Sequence, residues 1–147
     1  MAPVTDISQA DFEGMMRLNA GTAFLCCREA VRAMRGSGRP AEDGGRIVNV
    51  VARPALEPGG GMLAYSTSKA AVASLTQCLA DEVRADGILV NGVAPSIMDT
   101  PANRQAMPDA DFGTWPKVEE VARTMVWLAS PANALTTGTL VPVYGRA

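Results

Sequence analysis

Apolar positions along this chain alternate between short β-branched runs and longer stretches with helical spacing. Arg46-Ile47-Val48-Asn49-Val50-Val51 is an unbroken run, the pattern of a buried parallel strand. Ile88 to Ala94 gives a second strand, preceded by Gly87 and stopped by Pro95. Leu140-Val141-Pro142-Val143 gives a third; proline cannot donate to a ladder, so this strand belongs at a sheet edge.

Between the strands the period changes to that of a helix. Ser8 and Asp11 mark a helix start, with Ser8 as N-cap and Asp11 reaching back. The pattern runs to about Arg35 but weakens at Asn19, Gly21 and Thr22, which predicts a kink near residues 18–21. Phe24, Cys27, Val31 and Met34 then share one face, and Ala23, Cys26, Ala30 and Ala33 a second, so this segment is expected to be buried on more than one side. Residues 36–45 form a loop by composition, and Pro58 to Gly61 a flexible connection. A second helix is predicted over residues 65–84. A third covers Val118 to Ala129, with Val121, Met125, Val126 and Leu128 toward the core. Residues 96–116 read as irregular.

Strands alternating with helices predict an α/β fold, a partial Rossmann-like doubly wound parallel sheet with about three strands and three main helices. No internal repeat is visible, and residues 1–147 read as a single, incomplete domain. At 147 residues, 48% hydrophobic and 19% charged, the chain has enough apolar matter for a core. A net charge of −2 argues against general affinity for nucleic acid or an anionic membrane. No basic start or apolar run marks a signal peptide, and no stretch is long enough to span a bilayer. Cys26, Cys27 and Cys78 are odd in number and form no Cys-x-x-Cys, which suits thiols in a reducing cytoplasm. Histidine is absent, which removes Ser-His-Asp triads and most histidine-centred metal sites.

One pair of residues carries chemistry. Tyr65 and Lys69 are four apart on the predicted helix, one turn, so the phenol and the ammonium share a face. A free tyrosine ionises near pH ~10. A neighbouring cation lowers that value, and the pair is expected to act as a tyrosine acid/base near neutral pH. Taken alone, Tyr-x-x-x-Lys also fits a plain helix surface. The arginines 28, 32, 35 and 39 recur at helical spacing and read as a solvated face rather than a phosphate site. Asp109, Asp111, Glu119 and Glu120 read as surface carboxylates, so no metal is expected.

Leu18-Asn19-Ala20-Gly21, Gly45 to Val50, Tyr65 to Lys69, and Val90 to Pro95 with Asp99-Thr100 follow one another in an order that resembles the short-chain dehydrogenase/reductase family. The resemblance implies a nicotinamide cofactor, NAD(P)H, and a hydride transfer to or from a carbonyl or quinonoid group. It implies Tyr65 as catalytic acid/base, Lys69 on the nicotinamide ribose, and Asn19 orienting a water that relays protons to the lysine. Asn19 also reads as a local helix cap, and Thr100 as a turn residue. Pro95, Ser96, Ile97 and Thr100 would line the cofactor, and Ala52, Met62 and Met98 would lie near the substrate. Helices 20–35 and 65–84 would pair with a second copy or a full-length relative, and the alternative is a catalytically inactive assembly subunit.

Three departures stand out. No glycine-rich turn of the dinucleotide-binding kind is present, and by the resemblance about 90 residues of nucleotide-binding chain precede the family's equivalent of this start, which leaves the strand at Ile47–Val51 without a neighbour and its apolar edge exposed to aggregation or pairing. The serine that the family places after the first strand is Ala52 here, so one hydrogen-bond donor to the substrate oxygen is lost. The usual Pro-Gly is Pro95-Ser96, and the segment from Asp99 to Phe112, with Trp115, resembles dihydropteridine reductases, which also lack that serine and act on a quinonoid pterin.

Overall fold

A computed structural model describes residues 2–40 and 43–146. Helix α1 (Gln9–Met16) starts where Ser8 Oγ accepts from the Asp11 amide at 3.1 Å, as expected from the sequence. A π-helical turn at Arg17–Gly21 follows, and α2 (Thr22–Arg35) continues from it. Strand β1 (Gly45–Val50) leads through a short helix α3 (Arg53–Leu56) to the long helix α4 (Leu63–Glu82). Strand β2 (Ile88–Pro95), helices α5 (Pro101–Ala106) and α6 (Val118–Ala129), and strand β3 (Leu140–Val143) complete the order.

Among the described residues the three strands form one parallel sheet in the order β1-β2-β3. Gly45 pairs with Ile88 and Val50 with Val93; Gly92 pairs with Leu140 and Pro95 with Val143. All three strands therefore end on the same side. Val31 of α2 and Ala80 of α4 close over Ile88 and Val90, with Ile47 packed against them. Nearer the strand ends, Val72 and Ala73 of α4 close over Val51 and Ala94. Helix α6 covers the opposite face, with Val121 and Leu128 buried. Each fully buried valine, isoleucine or leucine among these stabilises the fold by about 1.5–3 kcal/mol. The sheet is thus wound on both faces, as the strand–helix alternation predicted.

Two close approaches fix this packing. Gly45 has φ +139°, and a Cβ there would meet Met34 Sδ at 2.6 Å, so α2 rests directly on the start of β1. A Cβ on Gly92 would meet Leu140 Cδ2 and Val51 Cγ2 at 2.9 Å each, so β2 lacks a side chain where both neighbours crowd it. On β2, the buried Asn91 donates to the Thr136 carbonyl at 2.7 Å and accepts from the Thr139 amide at 3.2 Å. One side chain thereby holds the loop between α6 and β3 to the middle of the sheet.

Several expectations need correction. β1 is an edge strand with Val50 exposed, as the missing neighbour implied, so its apolar run is only half buried rather than the buried parallel strand that its β-branched residues suggest. The second face of α2 is open: Cys26 and Ala33 are exposed, and so is Phe24. Val126 points outward at 67% exposure, because Val121 and Leu128, seven residues apart, share the buried face of α6, and Val126, five residues past Val121, lies about 140° round the helix from it. The segment 96–116 is not irregular throughout: Thr100 caps α5 and Pro101 takes its first position. The loop predicted over 36–45 includes positions 41 and 42, which lie outside the described residues. The arginines behave as a solvated face: Arg28 and Arg32 pair with Glu29, and Arg35 with Asp86 at 2.7 Å. Asp111 and Glu120 serve as local caps, accepting from the Gly113 and Lys117 amides. No helix among the described residues is long and apolar enough to cross a membrane.

Candidate active site

Tyr65 stands in the first turn of α4, and Lys69 one turn further along it. A cleft of about 320 Å³ opens beside Tyr65, walled by Ile7, Met15, Gly61, Met62 and Leu63. Met62 is part of this wall; Met98 is not, and its carbonyl accepts from the Asn103 side chain at 2.8 Å. The N-terminal segment is tied down here by Ala2, whose amide donates to the Gly61 carbonyl at 3.0 Å.

Lys69 is half buried, and its Nζ donates to the Val50 carbonyl oxygen at 3.0 Å. Val51 donates its amide to Val93 of β2, so by the two-residue alternation of a strand the Val50 carbonyl faces the other way, off the outer edge of the sheet. The ammonium is thus held at the C-terminal end of β1, on its open side. Burial pushes the Lys69 pKa down from the ordinary lysine value.

Burial likewise pushes the Tyr65 phenol above its usual pKa. This corrects the expectation that the lysine lowers it: desolvation is the dominant influence on the phenol here, and it favours the neutral form.

Asn19 lies in the π-helical turn, where the chain carries an extra residue per turn and the side chain is swung toward α4. Its Nδ2 donates to Ser68 Oγ at 3.1 Å and to the Met15 carbonyl at 3.3 Å. Ser68, fully buried, donates in turn to the Tyr65 carbonyl at 2.8 Å. The kink is where the sequence expected it, and it locks Asn19 to the helix that carries Tyr65 and Lys69. Its Oδ1 has no partner among the described residues.

The remaining candidates cluster at the end of the sheet. Pro95 closes β2, and Ser96 donates through Oγ to the Tyr144 carbonyl at 2.8 Å, joining the ends of β2 and β3. Ile97 is exposed. Thr100 accepts from the Asn103 amide at 3.2 Å as the cap of α5. Asp99 holds Arg104 in a two-pronged pair at 2.6 and 2.8 Å, which fixes α5 against the strand end and keeps the Asp99 carboxyl below the usual range. Ala52 is buried, extended, and begins α3, with no side-chain donor to offer.

Sequence reasoning missed Ser68 and the Val50 carbonyl. Ser68 lay inside the tyrosine–lysine motif, three residues after Tyr65 and hence on its face. It also missed Tyr144, whose ring stacks under the Arg53 guanidinium at 4.8 Å. No signal links residues that far apart in sequence.

The sequence profile of the short chain dehydrogenase family matches residues 1–111. Galactitol 2-dehydrogenase of Rhizobium johnstonii is 37% identical, over 96% of this chain and 58% of its own length. Among solved structures, acetoin dehydrogenase from Enterobacter cloacae superposes with a TM-score of 0.86 at 32% identity, over 98% of this chain and 58% of that one. A 4-hydroxyisoleucine dehydrogenase complexed with NADH gives 0.83 at 25% identity, over 98% of this chain and 62% of that one. The chain spans somewhat over half the length of these relatives. With a family profile matched over residues 1–111 and relatives above 30% identity over nearly its whole length, this chain belongs to the short-chain dehydrogenase family.

Proposed function

We propose that this chain carries the proton-transfer part of a nicotinamide-dependent oxidoreductase site acting on a carbonyl or quinonoid, pterin-like substrate. The observation that carries the reading is the half-buried tyrosine opening onto a cleft, with a lysine one turn away held at the strand ends. Tyr65 Oη gives a proton to the substrate atom that gains electrons, or takes one in the reverse direction. Lys69 stabilises the phenolate left behind and hydrogen-bonds ribose hydroxyls. Asn19, fixed through Ser68, offers Oδ1 to a water that returns the proton.

The residues fit the nicotinamide-ribose end of such a cofactor: a cation, a polar relay and the Pro95–Ser96 strand end converge there. They do not fit its pyrophosphate end, since no glycine-rich turn joins a strand to a helix among the described residues. When bound, the nicotinamide supplies the hydride, which no side chain can. The absence of a serine at Ala52 is the observation that favours a quinonoid over a simple ketone. A catalytically inactive subunit is the less favoured reading, because Tyr65, Lys69 and Asn19 are all kept in one connected arrangement. We also propose a homo-oligomer or a pairing with a full-length relative through α2 and α4, whose Phe24, Val31, Leu75 and Leu79 line an apolar groove of about 300 Å³. The unpaired cysteines support a cytoplasmic setting.

The test is cofactor absorbance on mixing the chain with NADH or NADPH and a panel of quinonoid pterins and ketones. Tyr65→Phe is expected to lower turnover by about 10²–10⁴-fold. Equal rates for the two proteins would overturn the reading.

A further inference from the structure

Among the described residues, Ser66 Oγ is the one fully buried side-chain oxygen or nitrogen without a hydrogen-bond partner. Ser66 is 7% exposed, in the first turn of α4 directly after Tyr65. Burying an unpaired hydroxyl costs a fold its hydration and returns nothing. The neighbouring hydroxyls on the same helix mark the contrast. Ser68 accepts from Asn19 and donates to the Tyr65 carbonyl, and Thr76 accepts from Asn49 and donates to the Val72 carbonyl.

Ser66 borders a second cavity, of about 320 Å³, that takes no part in the site described above. Leu63, Ser66 and Thr67 stand at the i, i+3, i+4 spacing of one helix face and form its α4 wall; Val4 and the stretch from Pro58 to Gly60 line the rest. No charged side chain lines it, so it suits a neutral group, and its size is at the low end of small-molecule pockets. Ala2, Gly61 and Leu63 belong both to this cavity and to the cleft beside Tyr65. Leu63 apart, the shared rim carries nothing bulkier than a methyl group. Serine is small and unbranched, so a turn about χ1 presents Oγ to the cavity with the backbone fixed.

We infer that this second cavity is a subsite for a short, neutral, largely apolar arm of the substrate that carries one hydroxyl or carbonyl oxygen, with Ser66 Oγ as the partner of that oxygen. The inference rests on the proposed function and narrows its substrate: the reacting group lies by Tyr65, and the arm passes over the low rim at Gly61 to Ser66. Consecutive residues of a helix are about 100° apart round its axis, so one molecule bent round the rim meets both side chains. A hydrogen bond made to Ser66 displaces no bond within the protein, so its whole worth goes to binding. An arm held there also fixes the direction in which the reacting group faces the phenol.

The experiment titrates the full chain and follows its backbone amides by nuclear magnetic resonance, so it needs no turnover. The probes are n-pentanol against n-pentyl fluoride, and a cyclohexanone with a hydroxypropyl arm against its propyl counterpart. Pentanol is expected to shift the amides of Gly60, Gly61, Ser66 and Thr67 and to bind about tenfold more tightly than the fluoride; the hydroxypropyl ketone is expected to gain about the same factor over the propyl one and to shift Tyr65 as well. Ser66→Ala is expected to bring each pair to equal affinity while the melting temperature holds or rises, since the oxygen removed has no partner. Gly60 lines the cavity, and a Cβ there meets no atom within 4 Å, so Gly60→Leu is expected to weaken pentanol about tenfold with the far-ultraviolet circular dichroism intact. Equal affinities for pentanol and the fluoride in the wild type would overturn the inference, as would a preference that survives Ser66→Ala or a fall in that variant's melting temperature. Indifference between the two ketones would separate the cavity from the substrate and overturn it too. A hydroxyl preference that persists in the wild type and in Tyr65→Phe, with no turnover of any substrate by either, would sink the proposed function and leave the subsite standing.

Discussion

Lys69 Nζ bonds the Val50 carbonyl at 3.0 Å, tying the middle of α4 to the last residue of β1 on the open side of the sheet. The lysine is therefore set by the strand end rather than by the tyrosine one turn before it. Lys69→Met removes the cation and keeps the apolar stem. It is expected to lower turnover by about 10²–10⁴-fold with little change in the melting temperature. Lys69→Arg, whose planar head does not fit a single carbonyl in the same way, is expected to recover only part of the loss. A wild-type rate in Lys69→Met, measured by cofactor absorbance, would remove the lysine from the mechanism.

The titration of Tyr65 separates burial from charge. With burial dominant, the phenol ionises above its unfolded value near ~10, and the folded state favours the neutral form. That contribution is full below the unfolded pKa and is lost as pH rises from there through the folded pKa. Lys69 has the opposite sign: its lowered pKa penalises the folded ammonium at lower pH, and the penalty eases as pH rises toward the unfolded lysine value. Ultraviolet difference titration of the wild type against Tyr65→Phe is expected to show a phenol ionising above the free value in the isolated chain. A phenol ionising near neutral pH in the absence of cofactor would contradict this.

Asn19 and Ser68 form a link that the sequence made only half visible. The kink was legible because Asn19, Gly21 and Thr22 resist a regular helix, and the π-helical turn falls there. Ser68 was not, because a serine inside a helical motif gives no sign of a partner 49 residues away. The strands were legible for the same kind of reason: β-branched runs and Gly87 are local signals, and Pro142 marked β3 as an edge. Burial was less legible. Val126 is apolar like Val121 and Leu128, yet faces outward, since five residues turn a helix by about 140° and carry it off the face those two share. The start of α5 did carry a signal, a threonine followed by proline, which reads from sequence as a turn or a cofactor-lining position rather than as a helix cap. The open edge of β1 was legible only through the resemblance, which leaves residues 47–51 without a neighbouring strand.

The link itself is measurable. Asn19→Ala and Ser68→Ala each break the bond between the π-helical turn and α4, and a double-mutant cycle on urea unfolding is expected to give a coupling of about 0.5–1.5 kcal/mol. Asn19→Ala is also expected to slow proton return and so lower kcat more than it raises KM. Additive stabilities in the cycle would show that the 3.1 Å contact carries no free energy.

Ala52→Ser tests the substrate class. Ala52 is buried at the head of α3, just beyond β1, where a hydroxyl would sit at the end of the strand. If the natural substrate is a simple ketone, a restored donor raises turnover, by up to about 10²–10³-fold for a group of this kind. For a quinonoid ring the new hydroxyl has no developing oxyanion to meet, and the rate is expected to stay within about twofold of the wild type. Ketone and pterin panels run side by side decide between the two. Because serine also caps helices, the melting temperature is followed in parallel to separate a gain in stability from a gain in rate.

Gly92 fixes the sheet from its middle strand. A methyl group there would sit 2.9 Å from both Leu140 Cδ2 and Val51 Cγ2, one on β3 and one just past β1. Neither neighbour can retreat freely: Val51 is buried in the cluster with Val72, Ala73 and Ala94, and Leu140 packs against that same cluster. Gly92→Ala is therefore expected to destabilise the fold by about 1–3 kcal/mol, the usual cost of overpacking a tight core. Because the clash lies between the strand ends that carry Val50 and Pro95, it is also expected to shift the anchor of Lys69 and weaken cofactor-dependent turnover. Urea unfolding reads the first effect and cofactor absorbance the second. An unchanged unfolding midpoint would show that the three strands are packed more loosely than these distances require.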